Sequence, residues 1–265
     1  MVKIKIGTAG WDYKDWIGPF YPKQLEKTRY LPYFSRFFDI VEINSTFYNL
    51  PTENMVLNWK NRVPENFRFV VKVWQKITHN LNEPDLEFFI NQFFSVMALL
   101  NEKVEYFLLQ FPPWFKYTES HLKKLILLLK EIPSEFKYIL ELRDNSWFNP
   151  TVLSNFIDGK NNILGTTYKP GIIPYYLDNQ SVYYIRLIGD RELTIFNRIQ
   201  REQKDALSDL NKNINKFVKS PNIHEIFIIV NNHFAGFAPE SVNSLKQKWD
   251  LHHHVFNTQK NLFDF

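Results

Sequence analysis

Residues 106–142 read YFLLQFPPWFKYTESHLKKLILLLKEIPSEFKYILEL and hold one complete folding unit. Tyr106–Phe111 is a short aromatic and aliphatic run of the strand type. Leu122, Leu125, Ile126, Leu129 and Ile132 then recur at helical spacing, after Thr118 and before Pro133. Tyr138–Leu142 is again strand-like. Strand, helix, strand in that order is the pattern of a parallel sheet, because the crossover helix brings the chain back to its starting edge.

The same alternation extends in both directions. Strand-like runs occur at Lys3–Gly7, Asp39–Asn44, Arg68–Val73, Ile163–Tyr168, Val182–Leu187 and Glu225–Asn231, making eight with the two above. Asn149-Pro150 is a helix start, capped by the amide with proline in the first turn, and it feeds Val152, Leu153, Phe156 and Ile157. Leu207, Leu210, Ile214 and Phe217 form another apolar stripe, and Pro239 opens a last helix with Val242, Leu245 and Trp249. One unit is irregular: around residues 168–182, Pro170, Gly171 and Pro174 leave little room for a helix. Eight strands in 265 residues give roughly 33 residues per unit, the size of a βα repeat. The expected fold is α/β, a single (β/α)8 TIM-type barrel over residues 1–265. Its rival, a doubly wound open sheet, would want Gly-x-Gly-x-x-Gly after the first strand, and none is present.

Composition narrows the chemistry. With no Cys, the chain cannot form disulfides, thiolate metal sites, iron–sulfur clusters or thiol nucleophiles. Aromatic residues make up 17%, which implies a large aromatic core. No apolar run reaches the roughly 18 residues of a membrane helix, and Met-Val-Lys-Ile-Lys-Ile-Gly lacks a secretory apolar core, so a soluble, cytoplasmic protein is expected. The net charge of +4 is mild, well short of a nucleic-acid footprint.

In a TIM-type barrel, chemistry sits at the C-terminal ends of the strands, and residues two apart share a face. Glu42 with Asn44, Val70 with Lys72, Glu141 with Arg143 and Tyr184 with Arg186 are such pairs, while Gln110 and Asn231-Asn232 end two further strands. One reading is a structural ion-pair layer in which the charges neutralise one another. Agreement across five strands favours a site instead. Glu42, Glu141, Lys72, Arg143 and Arg186 then sum to +1, which predicts a ligand with an anionic or polyhydroxyl part. In the loop that opens at Thr8, small residues permit tight turning, while Trp11, Tyr13 and Trp16 either stack on a sugar or base, or cap the barrel. His79, after the third strand, is a candidate acid/base. His252-His253-His254 reads as a solvated segment. There is no His-Glu-x-x-His helix, Walker loop or Gly-x-Ser-x-Gly elbow. The sequence requires no cofactor. The donors Glu42, Glu141, His79 and His233 would serve a single divalent metal at most.

Several stretches together resemble one family. They are Gly7-Thr8-Ala9-Gly10-Trp11 through Pro22, Val41-Glu42-Ile43-Asn44-Ser45-Thr46-Phe47-Tyr48, Phe69–Lys72 leading to His79, and Gln110-Phe111-Pro112-Pro113. Glu141-Leu142-Arg143 with Ser146-Trp147, Tyr184-Ile185-Arg186, and Asn231-Asn232 with Gly236-Phe237-Ala238 complete the set. Across almost the whole chain this resembles the DUF72 (YecE-like) family. The resemblance implies a TIM-type barrel related to sugar isomerases, with no established reaction, and one sometimes likened to barrels of the endonuclease IV kind. Two positions depart from the pattern: Ile188 stands before Gly189 where the family commonly has His, and His233 stands where an Asp often follows the paired Asn. Any catalytic role at those positions would be altered or lost here.

Three functions compete. The leading one is an enzyme, isomerase- or hydrolase-like, acting on a sugar, sugar phosphate or similar anionic metabolite. Its expected catalytic residues are Glu42, Glu141 and His79; Thr8, Trp11, Tyr13, Asn44, Lys72, Gln110, Arg143, Trp147, Arg186, Asn231 and Asn232 would bind substrate. The second is a nucleic-acid binding or processing protein, motivated by the basic balance and the aromatic first loop, although its Lys residues form no cluster. The third is a metabolite-binding barrel without catalysis.

Overall fold

The computed structural model describes residues 2–254 and 256. The domain expected over residues 1–265 therefore runs past the described residues at both ends. In chain order the elements are β1 (Lys3–Ala9), α1 (Tyr30–Phe34), β2 (Ile40–Ile43), α2 (Glu53–Asn61), β3 (Arg68–Lys72), α3 (Gln75–Thr78), α4 (Leu86–Met97), β4 (Val104–Gln110) and α5 (Glu119–Glu131). They continue with β5 (Tyr138–Glu141), α6 (Pro150–Leu153), β6 (Asn162–Tyr168), β7 (Val182–Leu187), α7 (Lys204–Phe217), β8 (Glu225–Val230), α8 (Asn232–Ala235) and α9 (Ala238–Lys248). Every run read as a strand is one, with ends shifted by no more than about two residues.

Each strand pairs in parallel with the next, and β8 returns to β1, so the sheet closes from β1 to β8 without an edge. Closure rules out the open doubly wound sheet. It also sorts the side chains by alternation. Ile40, Val70, Leu108, Ile139, Ile163, Tyr184 and Phe227 fill the inside of the barrel. The intervening residues, among them Val41, Val71, Leu109, Leu140 and Ile185, pack outward against the helices. Gly7 lies where the first two strands come closest: a Cβ there would stand 2.1 Å from the Ile40 carbonyl oxygen.

Apart from Tyr106, Tyr184 and Phe227 inside the barrel, the buried aromatic residues gather on the outer layer. Trp16, Phe20, Tyr21, Phe34 and Phe38 form one buried cluster, with Tyr21 stacked on Tyr30 at 4.1 Å. Helix α5 begins as its sequence asks, Thr118 accepting a hydrogen bond from the His121 amide at 3.0 Å. Helix α6 differs from expectation. Asn149 does cap it, accepting from Thr151 N at 2.9 Å, but the helix stops at Leu153. The Asp158 carboxylate draws the chain into a turn by accepting from the amides of Lys160, Asn161 and Asn162.

Between β6 and β7 no helix forms among the described residues. Side chains anchor this segment in place of a helix. Thr166 donates to the Tyr175 carbonyl at 2.7 Å, the Tyr168 and Tyr176 hydroxyls meet at 2.7 Å, and Gln180 accepts from the Leu164 amide at 2.6 Å. No helix among the described residues is long and apolar enough to cross a membrane.

Candidate functional site

The inward faces of the strands change character at one level. Two residues beyond Ile40, Val70, Leu108, Ile139, Gly165 and Tyr184 come Glu42, Lys72, Gln110, Glu141, Thr167 and Arg186. Strand pairing sets Gln110 beside Glu141 and Thr167 beside Arg186. Six strands therefore contribute to one polar layer at the C-terminal end of the barrel, above an apolar plug that keeps water from below it.

Arg186 crosses the centre of this layer. Its Nε and Nη2 donate to the two oxygens of Glu42, at 2.7 and 2.5 Å, and its Nη1 donates to Glu141 Oε2. The Tyr184 hydroxyl adds a third bond to Glu42, at 2.7 Å, and Arg143 Nε donates to Glu141 Oε1 at 2.6 Å. Both carboxylates are fully buried, and every carboxylate oxygen has a donor. Burial alone would push the Glu141 carboxyl up. Arg143, Arg186 and Lys72 outweigh burial and hold it at about 2. Glu141 is thus a fixed anion at neutral pH, poorly suited to the acid/base role expected for it.

Lys72 behaves differently. It is 7% exposed, and its ammonium makes no hydrogen bond or ion pair among the described residues. It sits 3.7 Å from the centre of the Phe47 ring. Burial first, then the positive charges of Arg186 and Arg143, lower its pKa to about 7 against the opposing pull of Glu141 and Glu42. The Thr46 hydroxyl fixes the strand end beneath it by donating to the Lys72 carbonyl at 2.7 Å. His79, at the C-terminal end of α3, lies edge-on to Phe47 at 5.2 Å, and its Nδ1 is 2.9 Å from the Thr78 hydroxyl. Burial, Lys72 and Arg143 lower its pKa to about 4, so the imidazole is neutral at pH 7.

Two neighbours of this layer fell outside the expected site. Tyr184 binds Glu42, and Thr167 carries a buried hydroxyl with no hydrogen-bond partner among the described residues. Alternation pointed to both, since they lie two residues from Arg186 and Gly165 on the inward faces.

Other expected residues make bonds of their own, most of them outside the layer. Trp11, Tyr13 and Asn44 line a separate cavity of about 660 Å³, with Trp59 edge-on to Trp11 at 5.7 Å. Tyr13 donates to the Ala9 carbonyl at 2.6 Å, and burial followed by Glu42 raises its hydroxyl pKa. Thr8 faces outward and donates to the Gly10 carbonyl at 2.6 Å. Trp147 is buried in the outer core, its indole donating to the Phe115 carbonyl. Gln110 donates to the Phe111 carbonyl at 2.9 Å. Asn231 caps α8 through the His233 amide, and buried Asn232 accepts from Trp16 Nε1 and the Ala238 amide, tying the first loop to α9. Thr8, Trp147 and Asn232 therefore hold the frame, whereas Asn231 caps α8 from a position two residues beyond inward-facing Ile229.

The two departures from the family pattern are neighbours. A Cβ at Gly189 would stand 2.2 Å from the His233 carbonyl oxygen, so the loops carrying Ile188 and His233 pack backbone to backbone. No three His, Asp or Glu side chains are grouped as metal ligands among the described residues. The carboxylate oxygens of the layer are taken up by Arg and Tyr donors, which fits the chemistry of organic ligands better than that of a cation. His252 and His254 face each other at 4.6 Å, away from these elements.

The comparisons agree on a family. A profile described as "Protein of unknown function DUF72" matches residues 5–262. UPF0759 protein YunF of Bacillus subtilis (strain 168) is 24% identical over 274 residues, covering 94% of this chain and 95% of that protein. UPF0759 protein YecE of Escherichia coli (strain K12) is 30% identical over 145 residues, about half of each protein (55% and 50%). Among solved structures, a DUF72 family protein of Thermotoga maritima superposes with a TM-score of 0.76 at 23% identity, covering 94% of this chain and 99% of the other. One from Enterococcus faecalis gives 0.74 at 22% identity, covering 97% and 99%. At that identity the structures support the barrel fold alone. The profile match spans nearly every residue that builds the barrel and its polar layer, and the chain belongs to the DUF72 family.

Proposed function

We propose that the protein is an enzyme that binds a small anionic metabolite, a sugar phosphate or sugar acid, at the C-terminal mouth of the barrel and moves a proton on it. The observation that carries this reading is which charges remain open. Glu42 and Glu141 are fully buried and saturated with donors, while the two members that reach solvent are the cations Lys72 and Arg143. With Lys72 protonated the five charges sum to +1, the one charge in the layer that an entering anion can balance, and the sum falls to zero as Lys72 loses its proton.

In this reading Arg143 receives the anionic group, and Glu42, Glu141 and Arg186 form a rigid, pre-ionised support. Lys72, with a pKa of about 7, is the group able to exchange a proton near neutral pH, and neutral His79 stands beside it as a weak base. A proton shift of the isomerase kind uses those groups without an added nucleophile.

Thermal melting with inorganic phosphate, sugar phosphates, sugar acids and neutral sugars tests the reading. An anionic ligand at about 100 times its dissociation constant is expected to add roughly 2.7 kcal/mol, and Arg143→Met to abolish that shift. Equal shifts with neutral sugars, or full retention in Arg143→Met, would refute it.

A second reading has its own observation. The cavity lined by Trp11, Tyr13 and Trp59 is flanked by Lys27 and Arg62, as a stacked nucleobase beside a phosphate would require. Lys27 is paired with Asp12 at 2.7 Å, however, and Arg62 donates to the Thr28 carbonyl. The same melts with single-stranded oligonucleotides separate the two readings, because phosphate-backbone binding falls steeply with salt.

A further inference from the structure

We infer that Lys72 is a nucleophilic amine that captures the carbonyl carbon of an aldehyde or ketone substrate as an imine. The inference deepens the proposed function, since it rests on the mouth being the ligand site, and it names the carbonyl compounds among anionic metabolites as the substrate class.

The argument starts from what a lysine needs to act this way. It must be short of hydrogen-bond acceptors, desolvated, and still reachable. Lys72 meets the first condition in a layer rich in carboxylates. Glu42 and Glu141 are its natural partners, yet Arg186 and Arg143 occupy all four carboxylate oxygens, and Tyr184 takes a further lone pair. The second condition is met by burial: Lys72 is 7% exposed, and the Phe47 ring face lies 3.7 Å from the amine. The third is met by position: Lys72 ends β3 and keeps some exposure, whereas Glu42 and Glu141 keep none.

Every charged group around the amine is accounted for. Arg186 on β7 and Arg143 after β5 repel its proton; Glu42 on β2 and Glu141 on β5 hold it but are neutralised; His79 at the end of α3 is uncharged. The resulting pKa of about 7 leaves roughly half of the amine neutral at that pH.

The chemistry balances with groups on the page. Neutral Nζ adds to the carbonyl carbon, the C=O π pair moves to oxygen, and one proton passes from Nζ to that oxygen to give the carbinolamine. A second proton, taken up from solvent, lets the hydroxyl leave as water while the Nζ lone pair forms C=N, so amine, carbonyl and one proton give a protonated imine and one water. Neutral His79 is the nearby group that can accept the proton Nζ gives up, and the Thr167 hydroxyl, without a partner among the described residues, offers a hydrogen bond in the same layer. A protonated imine also withdraws electrons from the adjacent carbon, which is what a proton shift next to a carbonyl needs.

The test is reductive trapping. The full-length protein is incubated with glycolaldehyde phosphate, or with glycolaldehyde, in sodium cyanoborohydride, which delivers hydride to the imine carbon and fixes a secondary amine. Peptide mapping by mass spectrometry then gives the labelling rate at each lysine. Lys72 is expected to label at least tenfold faster than exposed lysines such as Lys76 at pH 7, with a rate that rises through pH 7 and then levels off. The phosphate-bearing probe is expected to react faster, and Arg143→Met to remove that preference. The intact-mass adduct is expected to fall by one in Lys72→Met, with melting confirming that the variant is folded.

If Lys72 labels no faster than Lys76 while inorganic phosphate still raises the melting temperature, the imine is overturned and the anion site stands. If Lys72 labels fast but equally with both probes, and no anion shifts the melt, the amine stands and the anion reading falls. If there is neither a shift nor selective labelling, both fall.

Discussion

Arg186 shows how a single side chain sets the character of the layer. It is 2% exposed and supplies three of the donors that neutralise two buried carboxylates. Replacing it with Met would leave Glu42 and Glu141 short of charge in a low-dielectric interior. The expected cost is about 3–5 kcal/mol, the range for breaking a buried ion pair from one side, read from urea denaturation. A cost below about 1 kcal/mol would mean that the carboxylates are already solvated. The identity of the charged residues was legible from strand alternation, because Glu42, Lys72, Glu141 and Arg186 each lie two residues beyond an inward core position and Arg143 two beyond Glu141. Their roles were not. Glu42 and Glu141 read as acid and base in the sequence, and only the three-dimensional arrangement shows Arg186 and Arg143 holding both. Thr8, Trp147 and Asn232 make bonds to the frame that the sequence does not show: a polar or aromatic residue near a strand end looks the same in sequence whether it faces a ligand or a neighbouring part of the frame.

At the scale of elements, the strands and most helices were legible because their signals are local. An apolar run of strand length, a capping Thr and a terminating Pro act within a few residues. Helix α6 was overestimated because beyond Leu153 the stripe continues in turns, with the Phe156 and Ile157 amides both donating to the Leu153 carbonyl. The helix-free β6–β7 connection was read correctly from Pro170, Gly171 and Pro174, but its anchoring through Tyr175, Tyr176 and Gln180 depends on tertiary neighbours. The contact between β1 and β2 carries the prediction at this scale. Gly7→Ala would put a methyl 2.1 Å from the Ile40 carbonyl oxygen, in backbone that does not yield easily. It is expected to destabilise by about 1–3 kcal/mol, as overpacking does, with a lowered urea midpoint as the readout. An unchanged midpoint would show that the two strands separate freely.

For the whole molecule, the buried ionisable groups give stability a definite dependence on pH. Glu141 is lowered from 4.5 to about 2, so the unfolded chain binds more protons between those values, and stability is lost as pH falls through that window. His79, lowered from 6.5 to about 4, adds a loss in the same direction between pH 6.5 and 4. Lys72, lowered from 10.5 to about 7, costs stability while it is charged, and that cost is relieved as pH rises from 7 toward 10.5. Lys72→Met is therefore expected to stabilise the protein at pH 6, with an advantage that shrinks by on the order of 1 kcal/mol per pH unit above 7. Urea titrations at pH 6, 7.5 and 9 check this; a pH-independent difference would place the ammonium in water.

The sequence by itself determined the architecture. Eight apolar runs at a βα spacing, with no dinucleotide fingerprint, admit few arrangements, and the side chains that end those runs were bound to meet wherever the strands met. What only the tertiary structure decided is how the charges divide. Closure of β8 onto β1 sets the strand register, and register determines which guanidinium reaches which carboxylate. Coulomb energy in a dry interior varies steeply with those distances. A shift of one residue would turn Arg186 away from both acids and leave them for Lys72. Thus the five charges are written in the chain, but the paired Glu42, Glu141, Arg143 and Arg186, and the unpaired Lys72 beside Phe47, exist only once the barrel has closed.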